Sequence, residues 1–389
     1  MTMLLGRVGR LGLSVASRRC ASGSVGAASS FRFFSSSSRD PVPGYDWDAL
    51  GFGLNTKDTA MVILTSDEET GEWSEAKVSP YAPMMIEPSA VALNYGQALF
   101  EGVKAYRTAD DRLVVFRPQE NCRRMREGGA RYALADFDEE MFLGALDTFV
   151  DANAHWVPPA GKGALYIRPL LMGLTGQLGV APSAETTLCI YGSPVGDYFK
   201  NTGAGGGVTP IKLLISEEHD RAAPKGVGST KAAGNYAPCF TVQKAAREKG
   251  YNDVLYLDAA TNTYVEEVAA SNFFCVRDGV VHTPALGTIL GGITRLSAIE
   301  LLREDYGVQV VEGKVSIEDV FSDSTSEAFC VGTAAVVSPI GTIDRSSGSK
   351  QWSYDESGYG PVGKWLFDAL TGIQKGTSED SRGWLYEVK

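Results

Sequence analysis

Between Ser193 and Pro210 the regular spacing of apolar residues lapses into an irregular, glycine-rich stretch that includes Ala204-Gly205-Gly206-Gly207. At 389 residues the chain exceeds one average domain, so a break near its middle predicts two bodies, each large enough to bury a core. Three consecutive glycines after strand sequence invite a nucleotide-loop reading, but neither GxGxxG nor a Walker pattern is present. A linker over 193–207 is the better reading. It separates an expected small N-terminal domain, 35–192, from a larger C-terminal domain, 208–389.

Both halves alternate strand and helix patterns. Thr59 to Thr65 and Leu113 to Arg117 read as strands, Val91 to Tyr106 holds strand-like stretches, and Pro118 to Leu134 reads as a helix opening on proline. Phe137 to Trp156 sets Met141, Phe142, Ala145, Leu146, Phe149 and Val150 at helical spacing. Ala164 to Met172 and Thr187 to Val195 are near-continuous apolar runs, as expected of strands covered on both faces. Beyond the break, strands are expected at Val208 to Ile215, Asp253 to Asp258, Val308 to Glu312 and Glu327 to Pro339. Asn272 to Arg277 should pair with Val280 to Thr283 across Asp278-Gly279, a favoured hairpin turn. Helices are expected at Asn235 to Lys249, Thr294 to Tyr306, near Ser316, and at Pro361 to Lys375. The class is α+β, with a ligand cleft between two domains.

The net charge of −11 argues against nucleic acid as a general partner, and no apolar run is long enough to span a bilayer as a helix. The six cysteines are scattered without a Cys-x-x-Cys, which points to reduced, buried thiols. His155, His219 and His282 lie far apart, so no metal site is expected. Residues 1 to 39 hold six arginines and ten serines with no Asp or Glu. That is the composition of an organellar transit peptide. Arg32-Phe33-Phe34-Ser35 resembles a mitochondrial processing site with a cut after Phe34, making residues 1–34 the targeting segment. The mitochondrial matrix is the expected destination, with a plastid or a disordered cytosolic tail as alternatives.

Chemistry centres on Lys225-Gly226-Val227-Gly228-Ser229-Thr230-Lys231-Ala232-Ala233-Gly234-Asn235-Tyr236. Glycines deliver Lys231 to the approach of a helix, where it can be packed among backbone and lose water. Most lysines are solvated surface residues, but a dehydrated amine has the lowered pKa that a Schiff-base nucleophile needs. If Lys231 holds an aldehyde cofactor with a phosphate and a pyridine nitrogen, the chain must also supply an anion cradle, a carboxylate and a hydroxyl donor. Leu290-Gly291-Gly292-Ile293-Thr294-Arg295 opens directly into a helix and offers free backbone N–H groups to a phosphate. Val331-Gly332-Thr333-Ala334-Ala335 is a second cradle, and Arg124 could add positive charge. Glu266 and Glu267 should face opposite ways on a strand, so only one can meet a pyridine nitrogen.

Together these stretches resemble the branched-chain amino acid aminotransferases, pyridoxal-phosphate enzymes of fold type IV, and especially their plant-type branch. The resemblance runs from about Tyr45 to the C-terminus. It includes Tyr95 to Tyr106, Leu165-Tyr166-Ile167-Arg168-Pro169, Ser193 to Phe199, Arg221-Ala222-Ala223-Pro224, the Lys231 segment, Glu267 to Asn272, Gly292 to Arg295 and Gly332-Thr333-Ala334. It implies a homodimer binding pyridoxal 5'-phosphate in the cleft, with Lys231 as Schiff-base lysine and proton shuttle, Glu267 on the pyridine nitrogen and Tyr236 on the ring hydroxyl. Arg124, the amides of Ile293 and Thr294, and Thr333 would hold the phosphate, with Leu290 against the ring. Tyr95 and the amides of Thr333 and Ala334 would hold the substrate α-carboxylate. Phe52, Phe100, Tyr166 and Tyr198 would wall the side-chain pocket, and Arg168 would meet the distal carboxylate of glutamate. The implied activity is transfer of the amino group of L-leucine, L-isoleucine or L-valine to 2-oxoglutarate. The alternatives are a D-amino acid aminotransferase or aminodeoxychorismate lyase-like enzyme of the same fold type, or a non-catalytic cofactor-binding protein. Two departures stand out: Ala335 and Ser338 occupy positions that form a Cys-x-x-Cys in animal mitochondrial members, and Ala269-Ala270 replaces residues that are often Gly, Ser or Thr.

Overall fold

The near-continuous apolar runs become the central strands of the first of two sheets. In the computed structural model, which describes residues 39–196, 208–345, 351–353 and 358–389, Ala164–Gly173 pairs antiparallel with Thr186–Val195 over ten residue pairs. The sheet order is Leu385–Glu387, Leu113–Phe116, Val103–Arg107, Ala164–Gly173, Thr186–Val195, Ala60–Thr65 and Lys77–Pro80, with Ala98–Phe100 also paired to Ala164–Gly173. Its first strand is the last of the chain, which crosses back from the C-terminal half.

Helices Pro118–Arg131 and Glu139–Ala152 bury Cys122, Met125, Phe142, Leu146 and Phe149 against Val62, Leu64, Val103, Leu165 and Ile167. Side chains alternate along a strand, so Tyr166 and Arg168 face away from that core. The periodicity that buries Leu165 and Ile167 therefore aims a tyrosine and an arginine at the opposite surface, where both line a cavity.

The second sheet closes on itself. Val265–Val268, Asp253–Leu257, Ile211–Ser216, Val336–Asp344, Thr325–Gly332 and Ser271–Arg277 pair in that order, and the last pairs again with the first. Inside lie Ile211, Leu213, Leu255, Phe273, Cys275, Cys330 and Ile340. Outside, Phe274, Phe329, Val331 and Val337 pack against helices Ile293–Glu304 and Pro361–Gln374. The α+β class is confirmed. All described residues fall within one unit, Ser38–Lys389.

Val91 to Tyr106 holds strands at Ala98–Phe100 and Val103–Arg107, preceded by a short helix, Val91–Tyr95, that Gly96 ends at φ +71°. Two element expectations are corrected. Glu327 to Pro339 is a hairpin rather than one strand: Thr325–Gly332 turns at Thr333–Ala335 and returns as Val336–Asp344. The helix expected from Asn235 begins at Cys239, after Pro238 and a 3-10 turn over Ala233–Asn235.

Helix Pro361–Gln374 has glycine at its N-cap and no cap of its own. Glu327, 3% exposed, reaches across and accepts hydrogen bonds from the amides of Val362 (3.1 Å) and Gly363 (2.6 Å). Glu327→Ala would leave two buried donors unpaired, and should cost about 2–4 kcal/mol. Urea unfolding should show a lower midpoint at unchanged slope; a loss below about 1 kcal/mol would mean that other groups cap the helix.

Candidate active site

Lys231 is held by backbone from both halves. Its carbonyl accepts from the Phe100 amide at 3.1 Å, and the next residue, Ala232, bridges to Leu99. Gly228 lets this segment press against Thr288, since a Cβ there would strike the Thr288 carbonyl. The Lys231 Nζ donates to the Tyr236 hydroxyl at 3.3 Å and sits 4.8 Å from the Phe100 ring centre. Burial and then the neighbouring charge of Arg124 bring its amine down to about 8, against the opposing pull of Glu101.

Glu267 occupies the next position. Burial pushes its carboxyl up to about 7, while Arg221 and the Leu290 amide, which donates to Oε1 at 3.3 Å, favour the anion. Glu266 is turned to a different partner, accepting from the Thr288 hydroxyl at 2.5 Å. The two carboxylates part as strand alternation requires.

Helix Ile293–Glu304 begins behind Gly292 without a side-chain cap, and among the described residues the amides of Ile293 and Thr294 have no acceptor. Glycine at 292 lets the helix start sit against Asn272, whose Oδ1 a Cβ would meet. Ile293, Thr294 and Thr333 line one cavity of about 20 Å³ with Asn121 and Lys104. Arg124 stands beside them, bonded through Nη1 to the Gly291 carbonyl (2.9 Å) and through Nε and Nη2 to both oxygens of Glu101 (2.8 and 2.7 Å). Three of its five N–H groups are thereby used, which leaves two for an anion. The Thr333–Ala335 turn is fixed on one side by Lys104, whose Nζ donates to the Ala334 carbonyl at 2.7 Å. On the other side it is followed by Val336 at φ +62°, a strained conformation for a β-branched residue.

A second cavity, about 150 Å³, is lined by Phe52, Leu54, Tyr166, Arg168, Tyr191 and Val195. Phe52 meets Tyr166 edge-on at 5.2 Å. The Arg168 guanidinium lies over the Phe100 ring at 4.7 Å, and its buried Nε has no partner among the described residues.

Residues 98–343 match the family described as amino-transferase class IV. A branched-chain-amino-acid aminotransferase 5, chloroplastic, of Arabidopsis thaliana is 46% identical over 344 residues, covering 88% of this chain and 80% of its own. A branched-chain-amino-acid transaminase 1 of Bacillus subtilis is 40% identical over 348 residues, covering 88% and 95%. The chain is a branched-chain aminotransferase of class IV.

Among solved structures of such aminotransferases, one from Escherichia coli superposes with a TM-score of 0.69 at 28% identity, over 85% of this chain and all of its own. A second branched-chain aminotransferase, solved in complex with N-(5'-phosphopyridoxyl)-L-glutamate, superposes with a TM-score of 0.67 at 25% identity, over 84% of this chain and 98% of its own. Pyridoxal phosphate is the cofactor of this branched-chain aminotransferase, and the site suits its chemistry. There is an amine brought down to about 8, a buried carboxylate near 7, a tyrosine hydroxyl, and an uncapped helix start with a half-free guanidinium.

Most of the expected site residues are gathered here: Lys231, Tyr236, Glu267, Arg124, Leu290, Ile293, Thr294, Thr333, Ala334, Phe52, Phe100, Tyr166 and Arg168. Tyr95 is not. It ends a surface helix, is 43% exposed, and its hydroxyl donates to the Leu178 carbonyl at 2.6 Å. Tyr198 lies outside the described residues, as do the expected targeting segment, 1–34, and most of the expected linker, 193–207. Sequence reasoning missed Glu101, Asn121 and Tyr191, and gave Arg221 no role. Glu101 and Arg221 both stand inside segments that carry the family resemblance, and that was their only signal.

Proposed function

We propose that the protein reversibly moves the amino group of L-leucine, L-isoleucine or L-valine to 2-oxoglutarate, giving the branched-chain 2-oxo acid and L-glutamate. The observation that carries this reading is an aromatic-lined cavity whose single arginine, Arg168, lies over the same Phe100 ring that the Lys231 amine approaches. An aliphatic side chain gains about 1.5–3 kcal/mol from burial in such a place. A glutamate side chain there has its charge met by the guanidinium, which is otherwise spread over Phe100 and Tyr166.

In this reading the amides of Ile293 and Thr294, Thr333 and Arg124 hold the phosphate. Glu267 holds a proton at the ring nitrogen and Tyr236 bonds the ring hydroxyl, with Leu290 against the ring. The bound cofactor supplies an electron sink for the carbon that loses its proton. Lys231 Nζ would take up the proton of the substrate α-carbon and give it back, which a group poised near neutrality does well. The amides of Thr333 and Ala334 orient the α-carboxylate, and Phe52, Phe100 and Tyr166 exclude water from the side-chain cavity.

A homodimer is supported by exposed apolar side chains gathered around helix Val91–Tyr95, namely Met85, Leu93, Leu178 and Val180. A face of that kind favours a partner surface. Tyr95 belongs to it, so its proposed carboxylate role requires a second copy. Organellar import is supported by plant relatives named both chloroplastic and mitochondrial. Arg32-Phe33-Phe34-Ser35, which resembles a mitochondrial processing site, favours the mitochondrial matrix over a plastid.

The test is the half-reaction of the holoenzyme. The visible cofactor band should bleach with L-leucine or L-valine and with L-glutamate, return on adding 2-oxoglutarate, and ignore D-alanine. Bleaching by D-alanine alone would overturn the assignment.

A further inference from the structure

We propose that Arg221 is a positioning residue that keeps the Glu267 carboxylate ionised and aimed at the cofactor's ring nitrogen. This rests on the reading of Glu267 as the partner of that nitrogen, and adds the group that sustains it. Arg221 Nη1 stands 2.7 Å from Glu267 Oε1, and the two side chains are 2% and 3% exposed. The N–H directions at Nη1 do not run along this contact, so it acts as an ion pair more than as an aligned hydrogen bond. Arg221 Nε donates at 3.3 Å to the carbonyl of Ala269, in the turn that follows the Glu267 strand. Its guanidinium carbon lies 5.6 Å over the Tyr236 ring. One cation thus anchors the carboxylate, the turn behind it and the tyrosine beside it.

A carboxyl buried alone takes up a proton, and a neutral Glu267 could not hold a proton on a pyridine nitrogen. The other groups that face Glu267 do not replace Arg221. Glu266 repels its charge, Lys231 favours the anion but less strongly than Arg221 does, and Tyr236 is an uncharged phenol with its pKa raised by burial. Arg295 is committed to Glu312 and the Pro284 carbonyl. A guanidinium does not titrate in the working range, so Arg221 is the fixed charge at this end of the site.

The test uses the full-length apoprotein, titrated with pyridoxal 5'-phosphate and with its 1-deaza analogue, which lacks the ring nitrogen. Wild type is compared with Glu267→Gln, Arg221→Met, Arg221→Gln and Arg221→Lys, each first checked for cooperative thermal unfolding. Arg221→Met should weaken pyridoxal phosphate by about 10- to 100-fold and the deaza analogue by less than about threefold, because only the first needs an ionised Glu267. Arg221→Lys should restore most of the difference. Should Arg221→Met fail to fold, Arg221→Gln, which keeps a donor for Ala269 without the charge, must show the same selective loss. Equal weakening of both cofactors in the Arg221 variants, with selective weakening in Glu267→Gln, would overturn the role of Arg221 alone. Equal weakening in Glu267→Gln would overturn the reading of Glu267 itself.

Discussion

Replacing Lys231 by alanine is expected to lower transamination of L-leucine by about 10,000-fold or more, because one side chain both bonds the cofactor and moves the proton. The fold should survive, since Lys231 is tied to the Phe100 strand through its own carbonyl and through the backbone of Ala232, neither of which alanine removes. A thermal transition close to that of the wild type would confirm this. A pH dependence belongs to the same prediction. The amine is lowered from 10.5 to about 8, by burial first and then by Arg124. A lowered amine pKa enlarges the neutral, nucleophilic fraction below it, from about one part in 3,000 at pH 7 for an ordinary lysine to about one in ten here. In cofactor-free protein, labelling of Lys231 by an amine-specific acylating reagent should therefore reach half its limiting rate near pH 8. Half-labelling near pH 10.5, the ordinary lysine value, would remove the physical basis for singling out this lysine, and residual turnover in Lys231→Ala would remove the functional one.

Lys231 and the Gly292 helix start carry local signatures in the chain, whereas strand alternation only split Glu266 from Glu267 and the family resemblance chose Glu267. Glycines approach the lysine, strand alternation parts two neighbouring glutamates, and a glycine pair opens a helix. What escaped was long-range pairing. Arg124 finds Glu101 across 23 positions, and Arg221 meets Glu267 through a fold that brings distant segments together. Neither pairing has a spacing rule. Charge alone also misleads here: Arg124 reads in sequence as a free anion hook, yet more than half its donors are already committed to Glu101 and Gly291.

Local signals failed where the backbone is unusual. The run from Glu327 to Pro339 is rich in β-formers and reads as one strand, because the reversal at Thr333–Ala335 is completed by a valine at φ +62°, a conformation valine does not advertise. In the proposed reading the reversal matters, since the amides of Thr333 and Ala334, assigned there to the substrate carboxylate, both lie in it. Val91–Tyr95 shows the opposite failure. Five residues are too few to display helical periodicity, and only Gly96 in the left-handed region marks the end.

Arg168→Gln is expected to separate the two substrate classes. The guanidinium lies over Phe100 at 4.7 Å and Tyr166 at 5.5 Å, with Nη2 3.4 Å from the Tyr166 hydroxyl and Nε unpartnered among the described residues. It has donors to spare for a carboxylate but rests on aromatic faces when none is bound. An aliphatic substrate meets only the ring walls, so kcat/KM for L-leucine should stay within about fivefold of the wild type. For L-glutamate the loss should be about 100- to 1,000-fold, the size expected when a charge-assisted pair in a partly dehydrated cavity loses its cation. Arg168→Lys should recover only part of this, because an ammonium is a point charge and cannot meet a carboxylate with two parallel donors. Single-turnover bleaching of the cofactor band with each amino acid gives both numbers on one protein preparation. Parallel losses for leucine and glutamate would show that Arg168 shapes the cavity wall and does not read the distal carboxylate, leaving the two substrate classes to be told apart by some other residue.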